Sequence, residues 1–143
     1  KNFFKVFRKI TDYKVACLNE NDLTELEIEW LHSVLSKPRV IKIFKSISLD
    51  DEMKQMSFEL NYSVNAQFDE NFVTGLLALG MAIEWLQPQV DSVINIAPMI
   101  GGKEEKKILD NHKYSIERLE SMKTELNKTI RDYGYMYNSY ISD

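Results

Sequence analysis

Residues 72–86 read FVTGLLALGMAIEWL, and this stretch decides the fold because Thr74 and Glu84 are its only polar side chains. Its apolar residues cover nearly every face of a helix, which is typical of a helix buried at the centre of a protein. The uninterrupted apolar run is about 12 residues long, whereas a membrane span needs about 20. We therefore predict a central helix that does not contact a membrane.

The ends and the glycines of this central helix carry further signals. Asp69 is predicted to cap its N-terminus, and Pro88 is predicted to kink or end it. Gly75 and Gly80 each cost about 1 kcal/mol of helix stability relative to alanine. Their presence indicates that another helix approaches closely at these positions.

Two further amphipathic helices are predicted on either side. Asn21 is a favourable cap for a helix that ends before Pro38. Residues 103–133 carry apolar side chains at every third or fourth position, which predicts one long helix ended by Gly134. The predicted core consists of Trp30, Leu76, Leu79, Trp85, Leu119 and Leu126. Trp85 and Leu79 are expected to be among its most buried residues.

Between the helix that ends before Pro38 and the central helix, residues 39–68 change from helical to strand periodicity. Apolar and polar residues alternate from Met56 to Val64 and, less regularly, from Ile41 to Leu49, with a phase slip at Phe44 that predicts a bulge. A lone hairpin is marginal in water, so it must pack on the helices or on another subunit. The predicted fold class is therefore mainly α: a helical bundle with a long C-terminal helix and a small β-hairpin insertion around residues 40–65.

Composition and charge narrow the possible function classes. The chain has 143 residues, of which 44% are hydrophobic and 28% charged, and this fits a single structural domain covering residues 1–143. The net charge of −4 argues against a general polyanion binder. Residues 1–49 carry a net charge of +3 and residues 50–99 a net charge of −7. The basic part of one copy is expected to dock on the acidic part of a neighbour, unless both surfaces are simply solvated.

Few residues are candidates for chemistry. Cys17, His32 and His112 lie on predicted helical faces and are interpreted as structural residues. The acidic residues 50–52 are interpreted as a solvated turn, with a cation site as the alternative. Residues 101–103, GGK, lack the rest of a phosphate-binding loop and are interpreted as a hinge before a helix. We therefore predict no catalytic residue, no metal site, no cofactor and no enzyme activity.

Two aromatic segments near the ends of the sequence are candidates for contacts with other proteins. Residues 2–10 form a predicted amphipathic helix with an aromatic face. Residues 134–143 are predicted to be a flexible arm that becomes ordered only in an assembly, because tyrosines supply large contacts at interfaces. The predicted interface residues are Phe3, Phe4, Phe7, Tyr135, Tyr137 and Tyr140.

Three sequence blocks carry a resemblance to a known family. They are MAIEWLQPQV at residues 81–90, IGGKEE at residues 100–105, and the run that leads from NH at residues 111–112 to RDYGY at residues 131–135. In this order they resemble the small neck proteins of tailed bacteriophages of Gram-positive hosts, which are head–tail connector or adaptor proteins. The resemblance covers residues 69–137 and includes no catalytic signature.

This resemblance implies a structural virion protein without enzyme activity. Each copy would be one subunit of a homo-oligomeric ring, typically twelvefold, that joins the portal protein to the tail or to a stopper protein and extends the channel through which phage DNA passes. Its location would be the head–tail interface of the virion, and the host cytoplasm during assembly. Two alternatives stay open: a tail assembly chaperone, and a small regulatory protein whose basic N-terminal helix binds nucleic acid.

Overall fold

The computed structural model describes residues 20–52 and 55–142, with side chains for residues 25–52 and 55–134. Its mainly helical chain, with an antiparallel hairpin and a long helix near the C-terminus, confirms the predicted fold class. The helices are α1 (Glu20–Leu35), α2 (Pro38–Ile41), α3 (Ala66–Ile100), α4 (Gly102–Asn111) and α5 (Lys113–Ser142), and the strands are β1 (Phe44–Asp50) and β2 (Gln55–Leu60).

The central helix, α3, is longer at both ends than the sequence predicted. Its cap is Asn65, whose side-chain oxygen accepts a hydrogen bond from the N–H of Phe68 at 2.8 Å. Asp69 lies in the first turn instead, where its carboxylate accepts hydrogen bonds from the N–H of Val64, at 3.0 Å, and from the hydroxyl of Ser63. The predicted cap at Asp69 was therefore wrong, because this carboxylate closes the loop that precedes the helix.

Of the two outcomes predicted for Pro88, a kink or an end of the central helix, the end was wrong. The helix continues through Pro88 to Ile100. A proline in a helix costs about 3 kcal/mol, but Trp85, Leu86 and Val90 are buried on either side of it. Burying a large apolar side chain contributes about 1.5–3 kcal/mol, so the packing of this segment outweighs the cost of the proline.

The chain reverses at Gly101 and Gly102, which both have positive φ angles, of 71° and 63°. Helix α4 then packs against the end of α3, and α5 continues back along α3. At the far end of this pair, the ring of Phe72 stacks on the ring of Tyr133 with centroids 5.2 Å apart. Helices α3 and α5 therefore form a long antiparallel pair.

The single long helix predicted for residues 103–133 is two helices. They are separated at His112, which has φ −107° and ψ 8° and so lies outside the helical region. Gly134, in contrast, does not end α5, which extends to Ser142. A glycine lowers helix propensity by about 1 kcal/mol but does not prevent helical angles, so the prediction that Gly134 ends the helix was wrong. The flexibility of residues 134–143 outside an assembly stays a prediction.

One cluster of buried side chains joins α1, α3, α5 and the base of the hairpin. Leu76, Trp85 and Leu119 are buried as predicted. Trp30, Leu79 and Leu126 are half-buried and pack against this cluster. Leu79 was expected to be among the most buried residues, and it is not, because it lines an open groove between α3 and α5.

The two glycines of the central helix differ in their surroundings. A Cβ atom added to Gly80 would lie 2.6 Å from Cγ1 of Val34, so α1 and α3 approach closely at this glycine, as the sequence indicated. A Cβ atom added to Gly75 would meet nothing within 4 Å, so the same interpretation of Gly75 was wrong.

The hairpin has the predicted antiparallel pairing, and its register shifts between Phe44 and Ser46, where the sequence predicted a bulge. Its first strand begins at Phe44 rather than Ile41, because the residues before it form the short helix α2, in which Pro38 occupies the first position. Proline is well tolerated there since the first helical N–H has no partner inside the helix.

Candidate functional site

The end of the α3–α5 pair next to the turn at Gly101 and Gly102 forms an exposed helical arm, which we define as residues 91–118. It comprises the end of α3, all of α4 and the start of α5. Ala97 is the only one of its residues that is buried. The core cluster of the described residues has no member in this arm, so the arm is held mainly by contacts among its own helices.

Several large apolar side chains of this arm are exposed, next to the charged residues of α4. Met99 is 84% exposed, Tyr114 is 72% exposed and Ile100 is 53% exposed. Ile94 and Ile96 are also about half exposed, and they point in different directions because they are two positions apart on a helix. We take Met99, Ile100 and Tyr114 as the candidate surface for contact with another protein.

Some charged side chains of the basic segment, residues 1–49, pair with side chains of the acidic segment, residues 50–99, within one subunit. The ammonium group of Lys37 lies 3.0 Å from a carboxylate oxygen of Glu84, and that of Lys45 lies 3.6 Å from Glu59. Nε2 of His32 lies 3.0 Å from a carboxylate oxygen of Asp51, which belongs to the predicted acidic turn. The two lysine pairs neutralise part of the charge asymmetry internally and leave less of it for a neighbouring copy.

A second feature is a cleft between the base of the hairpin and the C-terminal half of α5. Its volume is about 800 Å³. We call it the basic cleft because three of its lining residues are cationic and none is acidic. It is lined by Arg39, Lys42, Ile43, Lys45, Asn61, Tyr62, Ile130, Tyr133 and Gly134.

Hydrogen bonds hold the walls of the basic cleft in place. The phenol oxygen of Tyr133 accepts from the N–H of Tyr62 at 2.8 Å and its hydroxyl donates to the carbonyl of Tyr62 at 3.3 Å. The side chain of Asn61 donates to the carbonyl of Lys42 at 2.6 Å. The guanidinium group of Arg39 donates to the side-chain oxygen of Asn127 at 2.8 Å. The cleft is therefore built by contacts between segments far apart in the sequence.

Among the described residues, the phenol of Tyr133 has a pKa that departs clearly from its ordinary value. Burial raises its pKa above the ordinary value of 10.0. The hydrogen bond from the N–H of Tyr62 lowers the pKa in part, and the carboxylate of Asp69 raises it. Tyr133 therefore stays protonated and can donate its hydrogen bond throughout the neutral pH range.

Sequence reasoning missed one buried charged residue. Glu27 is fully buried on α1, on the same face as the buried Leu31 and Val34. Its position four residues before Leu31 and seven before Val34 is the helical spacing that could have identified it.

The predicted interface residues lie largely outside the described part of the chain. Phe3, Phe4 and Phe7 precede its first residue, as does Cys17. Tyr135, Tyr137 and Tyr140 belong to the backbone of α5, but their side chains are not described. Their role in an interface stays a prediction.

Within the described residues, no group of three or more His, Cys, Asp or Glu side chains could hold a metal ion. No helix in this part of the chain is long and apolar enough to cross a membrane. Comparison of the chain with family models, with curated proteins and with solved structures found no match.

Proposed function

We propose that the protein is a structural subunit of a bacteriophage neck, one copy in a head–tail connector ring between the portal protein and the tail. The observation that supports an assembly function is the apolar surface of the arm, where Met99, Ile100 and Tyr114 are more than half exposed. The sequence resemblance to phage neck proteins supports the particular assembly. In this proposal the arm packs against a neighbouring subunit of the ring.

The physical argument starts from the cost of leaving such a surface in water. Burial of apolar surface contributes about 25 cal/mol per Å², so covering several exposed aliphatic side chains favours association. The arm is built from helices, and rigid helices lose little conformational entropy when they bind. In a closed ring every subunit has the same environment. The arm of each copy would therefore contact the same surface of its neighbour, and one kind of contact would recur around the ring.

The first experiment measures the oligomeric state of the purified protein by native mass spectrometry and electron microscopy. The expected result is a closed ring. A protein that stays monomeric up to the millimolar range, both alone and with the portal protein of the same phage, would contradict the proposal. Mass spectrometry of purified virions separates a connector, which is retained in the particle, from a tail assembly chaperone, which is not.

A matched pair of variants tests the role of the arm. Ile100→Lys places a charge on the apolar surface, and Asn95→Lys places the same charge at an exposed polar position of the same helix. We expect Ile100→Lys to prevent ring formation and Asn95→Lys to permit it. Both variants should melt like the original protein, because neither residue belongs to the core. Rings that form equally well with Ile100→Lys would refute the assigned surface.

A further inference from the structure

We propose that the basic cleft binds an acidic peptide segment of a partner protein, one that carries carboxylates next to an aromatic or aliphatic side chain. This inference does not depend on ring formation. It rests on the charge of the cleft, on its apolar floor and on its size.

The charge of the cleft is opposite to that of the chain. Arg39, Lys42 and Lys45 contribute three positive charges to a protein whose net charge is −4. Among the described residues, Lys45 forms an ion pair with Glu59, whereas Lys42 forms none. Arg39 is held by Asn127 through one of its nitrogen atoms, which leaves other donors of the guanidinium for a carboxylate. The cleft is therefore a local site for an anionic group.

The floor of the cleft distinguishes a peptide from a simple anion. Ile130 is half-buried and supplies exposed apolar surface there, while the buried side chains of Ile43 and Tyr133 lie beside it. An apolar floor contributes to binding when an apolar side chain of the ligand covers it. A segment that presents both carboxylates and apolar side chains uses the rim and the floor together.

Size and long-range charge favour a peptide over duplex nucleic acid. A volume of about 800 Å³ lies within the range of about 300–1,000 Å³ that is typical of ligand pockets. Duplex DNA carries one charge per about 1.7 Å along its axis and would extend beyond the cleft over a protein whose net charge is −4. A short segment interacts only with the cleft, because charges farther away than about 8 Å are screened at physiological salt.

Hydrogen bonds within the chain hold the walls of the cleft. The two hydrogen bonds between Tyr133 and Tyr62 and the bond from Asn61 to Lys42 fix its walls. A preformed site loses little conformational entropy on binding, so a short segment binds with measurable affinity.

The test measures the fluorescence anisotropy of a labelled octapeptide of alternating glutamate and phenylalanine, titrated with the full chain. A peptide with glutamine in place of glutamate serves as the ligand control. We expect the acidic peptide to bind, the glutamine peptide to bind at least about tenfold more weakly, and the dissociation constant of the acidic peptide to rise with salt.

The variant Lys42→Glu reverses a charge in the cleft at an exposed side chain. We expect it to weaken binding of the acidic peptide by about tenfold or more, since it removes an attraction and adds a repulsion. Lys107→Glu, an exposed lysine of α4 outside the cleft, is the matched control and should bind like the original protein. Circular dichroism melts establish that both variants are folded.

Three outcomes would overturn the inference. The acidic peptide fails to bind the original protein, or Lys42→Glu and Lys107→Glu bind it equally well. The third is that a DNA duplex binds more tightly than the peptide and loses affinity on Lys42→Glu, which would identify the cleft as a nucleic-acid site instead.

Discussion

The contact between Gly80 and Val34 gives the sharpest test of how the helices pack, through the substitution Gly80→Ala. The new Cβ atom would lie 2.6 Å from Cγ1 of Val34 and 3.0 Å from its Cγ2. Val34 is fully buried, and a valine in a helix has one strongly preferred rotamer, so it cannot turn away from the added methyl group. Helices α1 and α3 would have to move apart.

The magnitude follows from two opposing effects on the free energy of unfolding. Alanine gains about 1 kcal/mol of helix propensity over glycine, whereas overpacking a core typically costs about 1–3 kcal/mol. Because the contact involves a fully buried, stiff side chain, we expect overpacking to dominate and Gly80→Ala to lose about 1–2 kcal/mol. Gly75→Ala is the matched control in the same helix, and with nothing within 4 Å of its Cβ it should gain about 0.5–1 kcal/mol.

The assay is urea unfolding followed by circular dichroism, with the two variants and the original protein measured side by side. The double variant Gly80→Ala/Val34→Ala removes the atoms that clash, so its loss should be smaller than the sum of the two single losses. If Gly80→Ala stabilises the protein as much as Gly75→Ala does, or if the double variant is additive, the close approach of α1 and α3 at this position is refuted.

Four further substitutions test the cap, the core and the cleft. Asn65→Ala should lower the free energy of unfolding by about 0.5–2 kcal/mol in urea titrations, because the N–H of the first turn loses its acceptor. Leu119→Ala should cost about 2–5 kcal/mol, and Leu79→Ala clearly less, since Leu79 is only half-buried. Tyr133→Phe should cost about 1 kcal/mol at pH 7, since it removes the hydrogen bonds to Tyr62. Because the pKa of Tyr133 is raised, its contribution to the stability of the folded state is fully present below pH 10. This contribution is lost as pH rises through the folded-state pKa. Thermal melts should therefore show a steeper alkaline loss of stability in the original protein than in the variant.

The parts of the fold that the sequence predicted correctly depend on local pattern. Apolar residues on all faces of residues 72–86 identified the central helix, and the phase slip at Phe44 identified the bulge. Both signals arise from the periodicity of side chains along a single element. No information about distant residues was needed.

The errors have a common cause, which is that local penalties were given too much weight. Pro88 and Gly134 both lower helix propensity, and both lie inside helices of the structure. A penalty of about 1–3 kcal/mol is outweighed when a helix of 30 residues or more packs along its length. Packing is a property of the folded chain, so the sequence pattern at one proline or glycine does not contain it.

The basic cleft could not be predicted for a different reason. Arg39 meets Asn127 across 88 positions of the sequence, and Tyr62 meets Tyr133 across 71. Each residue looks ordinary in its own segment, and only the antiparallel return of α5 along α3 brings them to one place. The exposed arm has the same origin, because its apolar residues continue the pattern of a buried helix beyond the point where other elements cover it.

The arm and the cleft lie far enough apart to be tested independently. Tyr114 belongs to the arm and Tyr133 to the cleft, and 19 residues of helix rise by about 28 Å. A charge change at Lys42 is therefore screened from the arm at physiological salt, where the Debye length is about 8 Å. If Ile100→Lys prevents ring formation while peptide binding persists, and Lys42→Glu weakens peptide binding while rings persist, the two surfaces have separate partners. If Lys42→Glu also abolishes ring formation, the cleft takes part in the ring contact, and if Ile100→Lys also abolishes peptide binding, the independence of the two surfaces is refuted.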